Sequence, residues 1–120
     1  MGLFARISGL NKLVERFPVE KRPEGEELIK QTVQIGLVRY RSCVTVIISG
    51  AGLYLSVKQP LSTSSELFIP WNEIKRISSA KLFGRGGSRL SLGIQGEADL
   101  VVYDALFASM RPYVRFDTIT

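Results

Sequence analysis

The sequence predicts a mainly β domain, a seven-stranded barrel or sandwich with a helix at each end. Three observations carry this expectation. Apolar residues keep a helical period up to residue 17, whereas from residue 31 they alternate with a period of two. Eleven glycines and five prolines break the chain at short intervals, as an architecture of short strands requires. Finally, 120 residues, 45% hydrophobic against 22% charged, suffice for one domain with one core.

Residues 3–17, LFARISGLNKLVERF, are expected as an amphipathic helix. Leu3, Ile7, Leu10, Val14 and Phe17 recur at spacings of four and three and make one apolar stripe, with Arg6, Lys12 and Arg16 off it. Pro18 stops the helix, because the residue before a proline avoids helical geometry. Residues 18–27, PVEKRPEGEE, read as a charged linker with little to bury, so the expected division is a helix and linker over 1–27 and a β domain over 28–120.

The strands are expected in order. QTVQIGLVRY, CVTVIIS and LYLSV are the first three, with Ser49-Gly50-Ala51-Gly52 as the tight connection between the last two. A polar loop over 60–66 leads to LFI, and a fifth strand with an irregular start covers about 75–82. FGRGGS, residues 83–88, reads as a glycine-rich turn, followed by RLSLGI and ADLVVY. Asp104 is expected to cap a short helix, ALFASM, with its carboxylate, and Pro112 limits that helix.

The composition excludes several chemistries. There is no histidine, so the commonest general base at neutral pH and imidazole metal sites are missing. The single cysteine, Cys43, allows no internal disulfide and lies in an apolar alternating segment. No catalytic residue, metal site or cofactor is expected, and the chain reads as a non-enzyme. No run approaches the ~18 apolar residues of a membrane-spanning helix, and no secretory signal is recognised. The expected location is the cytoplasm, with the inner membrane surface as a place of peripheral attachment.

The net charge of +5 is uneven: residues 28–93 carry nine basic and two acidic groups, whereas the charges of 1–27 cancel. A basic surface favours anionic partners. Arg39, Arg41, Lys75, Arg76, Lys81, Arg85 and Arg89 are the candidate anion-binding residues, with the backbone of FGRGGSR as a possible phosphate cradle. Leu3, Ile7, Leu10, Val14, Phe17 and the only tryptophan, Trp71, are the candidate partner- or membrane-facing residues.

Three short motifs add a resemblance: PEGE at 23–26, GLYLS at 52–56 and IPWNEI at 69–74. Seven strands closed by a helix, with an isoleucine-proline-aromatic step opening a strand, resemble pleckstrin-homology-like (PH/GRAM-like) domains of uncharacterised bacterial proteins. The resemblance covers roughly residues 10–102 and implies a barrel, with anionic-ligand sites near its open end, but no known activity. The final helix is shorter than the barrel-closing helix of that family. The functional expectation is a protein-binding or adaptor module, with a protein partner first and an anionic membrane surface as the alternative. Nucleic acid is disfavoured, since no recognised motif is present. Exposed strand edges would permit self-association.

Overall fold

The computed structural model describes residues 9–58, 64–92 and 98–114. The chain opens with α1 (Leu10–Arg16), then β1 (Glu26–Ile35), β2 (Val38–Ile48), β3 (Gly52–Val57) and β4 (Ser65–Pro70). A 3-10 turn, Trp71–Glu73, leads to β5 (Ile74–Leu82), β6 (Arg85–Leu92) and β7 (Ala98–Tyr103). Helix α2 (Asp104–Met110) and a second 3-10 turn, Arg111–Tyr113, follow.

The seven strands form one antiparallel sheet in the order β4-β3-β2-β1-β7-β6-β5. Its two edges, β4 and β5, are consecutive in sequence and joined only by Trp71–Glu73. In a flat sheet, six inter-strand spacings of about 4.8 Å would part these edges by roughly 29 Å. Three linking residues reach roughly half that distance. The sheet must therefore curl into a half-barrel, and the Trp71 turn bridges its seam.

The bend begins in the first hairpin. Lys30 (φ 54°) and Ser42 (φ 56°) both take left-handed backbone, and the β1–β2 register slips beside them. The Ser42 N–H donates to Thr32 Oγ1 at 2.9 Å in place of a regular ladder bond. Such bulges bend a strand and sharpen its twist. Beyond the bulge, Val33–Ile35 pair with Leu100–Val102 of β7. On the other side, Val44–Ile48 pair with β3.

The concave face holds the core, including Val33, Val46, Leu55, Ile69, Leu90 and Leu100. Leu106, Phe107 and Met110 of α2 join it, as do Leu10, Leu13 and Phe17 of α1 and its C-cap. Smaller buried groups lie outside this cluster: Ile47 and Tyr54, and Leu82 and Val101. Val101 stands between core residues Leu100 and Val102, so strand alternation puts it on the opposite face.

Several sequence expectations are corrected. The segment 31–40 is not one strand, because Gly36 (φ 60°) and Leu37 turn the chain between Ile35 and Val38. The gap expected at Arg41–Ser42 is the bulge within β2. The glycine-rich turn contracts to Phe83-Gly84, because Gly86 and Gly87 pair with Lys81 and Ala80 inside the sheet. Asp104 is the first residue of α2 and makes no side-chain cap bond. The linker does bury residues: Val19 and Pro23 are half-buried, and the Phe17 carbonyl accepts from the Phe68 N–H of β4 at 3.0 Å. Gly25 approaches so closely that a Cβ there would stand 2.2 Å from the Ile48 carbonyl oxygen. In the first helix Leu13 is as buried as Leu10, and Val14 only partly so. Leu3 and Ile7, with the expected helix start, lie outside the described residues, as do residues 60–63 of the expected polar loop and the expected turn at 95–97; Ser65 and Glu66, read as loop, belong to β4.

Candidate functional site

The seven candidate cationic residues divide by position. Arg39 and Arg41 of β2 converge on Phe83 at the β5–β6 turn, their guanidinium carbons 5.3 and 4.9 Å from its ring centroid. Arg85 lies over the Tyr103 ring at 4.5 Å, and Lys81 stands opposite Gly86 near the same turn. None of these four forms an ion pair with a carboxylate among the described residues. Arg89 is different, since it pairs with Asp99 at 3.3 Å. Lys75 and Arg76 begin β5, roughly 20 Å along the strand from Lys81, and the Lys75 ammonium donates to the Asn72 carbonyl at 2.9 Å. A phosphate cradle over FGRGGSR does not form, because the backbone of Gly86 to Arg89 is engaged in the sheet with β5 and β7.

The turn that presents Phe83 is strained. Leu82 and Arg85 close a two-residue loop in which Phe83 (φ 51°) and Gly84 (φ 76°) are both left-handed. That is the type I′ geometry, which favours asparagine then glycine. A residue with a full side chain pays about 1–2 kcal/mol to adopt it. The neighbouring β1–β2 turn presents Leu37, 82% exposed. Gln34 braces the first tip from within its own hairpin. Its Nε2 donates to the Gly36 carbonyl at 2.9 Å, and its Oε1 accepts from Arg39 Nε at 3.3 Å. Arg39 is thus held from the first turn while it covers Phe83 of the second.

A second feature lies at the opposite sheet edge from β4. Among the described residues no strand pairs with the outer side of β5. An open cleft of about 280 Å³ runs between the paired strands β5 and β6 and α2, lined by residues including Ser78, Ser79, Ser88, Asp104, Phe107 and Arg111. A second cleft of about 450 Å³ adjoins it, sharing Ser79, Gly87 and Asp104. Small side chains along both strands leave the space. The β4 edge is less open, since the Phe17 carbonyl occupies the Phe68 amide.

Trp71 is committed to the fold. Its Nε1–H donates to the Ser49 carbonyl at 2.8 Å, and its ring stacks on Tyr113 with centroids 5.2 Å apart and planes 7° apart. Ser49 in turn holds the β2–β3 connection, its hydroxyl donating to the Gly52 carbonyl at 2.8 Å. Glu73 pairs with Arg16 at 3.3 Å, tying the seam to α1. Leu10 and Phe17, candidates for a partner- or membrane-facing stripe, are buried in the core of their own chain. Val14 is half-buried against the core.

Reactive groups are few. Burial pushes the Cys43 thiol up from its ordinary range, away from thiolate chemistry. Burial, then the neighbouring Glu66, pushes the Tyr54 phenol up as well. Among the described residues no group of three His, Cys, Asp or Glu side chains could hold a metal ion, and no helix is long and apolar enough to cross a membrane.

Sequence reading missed Leu37; it singled out Phe83 only as an aromatic among arginines, and it named a groove beside the C-terminal helix without the residues that line it. The groove depends on which strand becomes an edge, which composition does not encode. Phe83 carried a legible signal: an aromatic directly before a glycine, flanked by alternating strands, at a hairpin position usually held by a small polar residue. Comparison with protein-family models, with curated proteins and with solved structures finds no match to this chain.

Proposed function

We propose that this chain is a non-enzymatic binding module of pleckstrin-homology-like architecture, which holds an extended segment of a protein partner along β5, in the cleft beside α2. The supporting observation is the asymmetry of the two sheet edges. β4 has an amide engaged by the segment that precedes β1, whereas β5 borders an open cleft with serine and glycine at its walls. An extended segment adding to such an edge gains main-chain hydrogen bonds, and alternate side chains can occupy the cleft. Phe107 offers apolar contact there, and the Asp104 carboxylate offers a charged end for orientation.

The test is a Ser79→Tyr variant, which fills both clefts without touching the core. A partner captured by the wild-type chain is expected to be lost from Ser79→Tyr at an unchanged melting temperature. In the wild-type complex, hydrogen exchange should slow at β5 amides. A partner retained by Ser79→Tyr, with protection confined to another surface, would remove this reading.

A further inference from the structure

We propose that the partner segment on β5 presents a carboxamide side chain to Lys81 and Asp104, two residues away from an apolar side chain that meets Phe107. This inference rests on the β5 reading above and names the side chains that the edge selects.

The register of the ladder fixes which positions matter. Leu82 and Arg85 close a two-residue hairpin, so they exchange main-chain hydrogen bonds as its terminal pair. Bonded and non-bonded pairs alternate from there, so Ala80 and Ser78 also bond to β6. Ser79 and Lys81 therefore turn their amides and carbonyls away from β6, to the side where no strand pairs among the described residues. A segment added antiparallel to β5 bonds at these two residues. Its side chains opposite them lie on their face of the sheet, which is the face of Ile77 and the core. Helix α2 packs on that face through Leu106 and Phe107. Two partner side chains, two residues apart, are thus directed into the two clefts.

The clefts differ in chemistry. The first, about 280 Å³, has Ile77 and Phe107 among its walls and suits an apolar side chain. The second, about 450 Å³, holds Lys81 and Asp104 beside Gly86 and Gly87. Among the described residues Lys81 and Asp104 form no ion pair, with each other or elsewhere. Arg85 of the adjoining turn is drawn onto the Tyr103 ring at 4.5 Å. The floor is open because Gly86 has no side chain: a Cβ there would stand 2.8 Å from Asp104 Oδ2.

A planar carboxamide matches a cation and an anion that share one cleft without pairing. Its oxygen accepts from the Lys81 ammonium, and its N–H donates to the Asp104 carboxylate. Hydrogen bonds to ionised groups are the stronger kind. A glutamate would suit Lys81 but face the like charge of Asp104, and a lysine would do the reverse. An apolar side chain would cover both charges and bond to neither. Strand β5 itself, IKRISSAKL, contains no carboxamide, so a second copy's β5 lacks the required side chain.

The experiment is fluorescence polarisation of labelled peptides Thr-Ser-Thr-X-Thr-Leu-Thr-Ser with the full chain, where X is glutamine, glutamate, lysine or norleucine. Read antiparallel, X stands opposite Lys81 and the leucine opposite Ser79. The glutamine peptide is expected to bind about fivefold more tightly than each of the others. Lys81→Met should move the preference to lysine, and Asp104→Ala should move it to glutamate. Opposite switches of this kind report contact, since a damaged fold would weaken all four peptides together. Equal binding of the four peptides, abolished by Ser79→Tyr, would overturn this inference and leave the β5 reading standing. So would a glutamine preference that both single variants retain. Binding that survives Ser79→Tyr, or no binding of the glutamine peptide, would overturn both.

Discussion

Single residues at turns and close approaches carry much of the specification of this molecule. Phe83→Asn should stabilise the chain by roughly 1 kcal/mol, since it relieves a left-handed phenylalanine at an exposed site; urea unfolding measures this. Gly25→Ala should cost about 2 kcal/mol or more, because the new Cβ would meet backbone that cannot step aside. Trp71→Phe should cost about 1 kcal/mol, leaving the Ser49 carbonyl without its indole donor while keeping most of the stacking area. Cys43 and Tyr54 set a pH dependence. Their folded pKa values are raised, so the folded chain holds both protons more tightly than the unfolded one. The stability this contributes is present below the ordinary values, 9.0 for the thiol and 10.0 for the phenol, and is lost as pH rises through the raised ones. Tyr54→Phe should therefore flatten the alkaline decline measured by urea titration at successive pH values.

Among the elements, the first hairpin sets the curvature. Both of its strands are long, and its bulge lets one half pair with β7 while the other half pairs with β3. Thr32→Val removes the acceptor for the Ser42 amide and should cost about 1 kcal/mol. The period-two pattern over residues 31–57 revealed strands but misplaced their first turn. Val33, Ile35, Val38 and Tyr40 straddle a tight turn with too little polar punctuation to mark it. Gly36 was the available signal, outweighed by apolar neighbours. The later strands were easier to read, because proline, glycine or an abrupt change of period marks their ends. The N-terminal linker was misjudged for the opposite reason. Its charges hid Val19 and Pro23, which are partly covered, and Arg22, which lies over the Tyr54 ring at 5.6 Å.

For the whole molecule, a mainly β fold of seven strands with a short final helix was legible from periodicity and turn spacing. The order of strands was not, because it depends on contacts between distant segments. The candidate surfaces inherit that difficulty: Arg39 and Phe83 are far apart in sequence and meet only when the sheet curls. The same integration makes α1 part of the barrel. Burying an apolar side chain is worth about 1.5–3 kcal/mol, and Leu10, Leu13 and Phe17 are all buried. Deleting residues 1–17 should therefore remove several kcal/mol from a stability that is ordinarily only 5–15 kcal/mol. A large fall in melting temperature would verify this, whereas an unchanged one would place the helix outside the cooperative unit.

The central position of β1 also has a consequence for biosynthesis. Val33 and Val102, neighbours in the finished sheet, stand 69 positions apart, and β7 is the last of the described strands to be made. During translation, β1 can form its hairpin with β2 early, but its other margin waits for a partner until almost the entire sheet has left the ribosome. Closing so long a loop is slow. Over that interval the Val33–Ile35 margin is open to pairing with other nascent chains, so yield in a crowded cell should depend on how quickly β7 arrives.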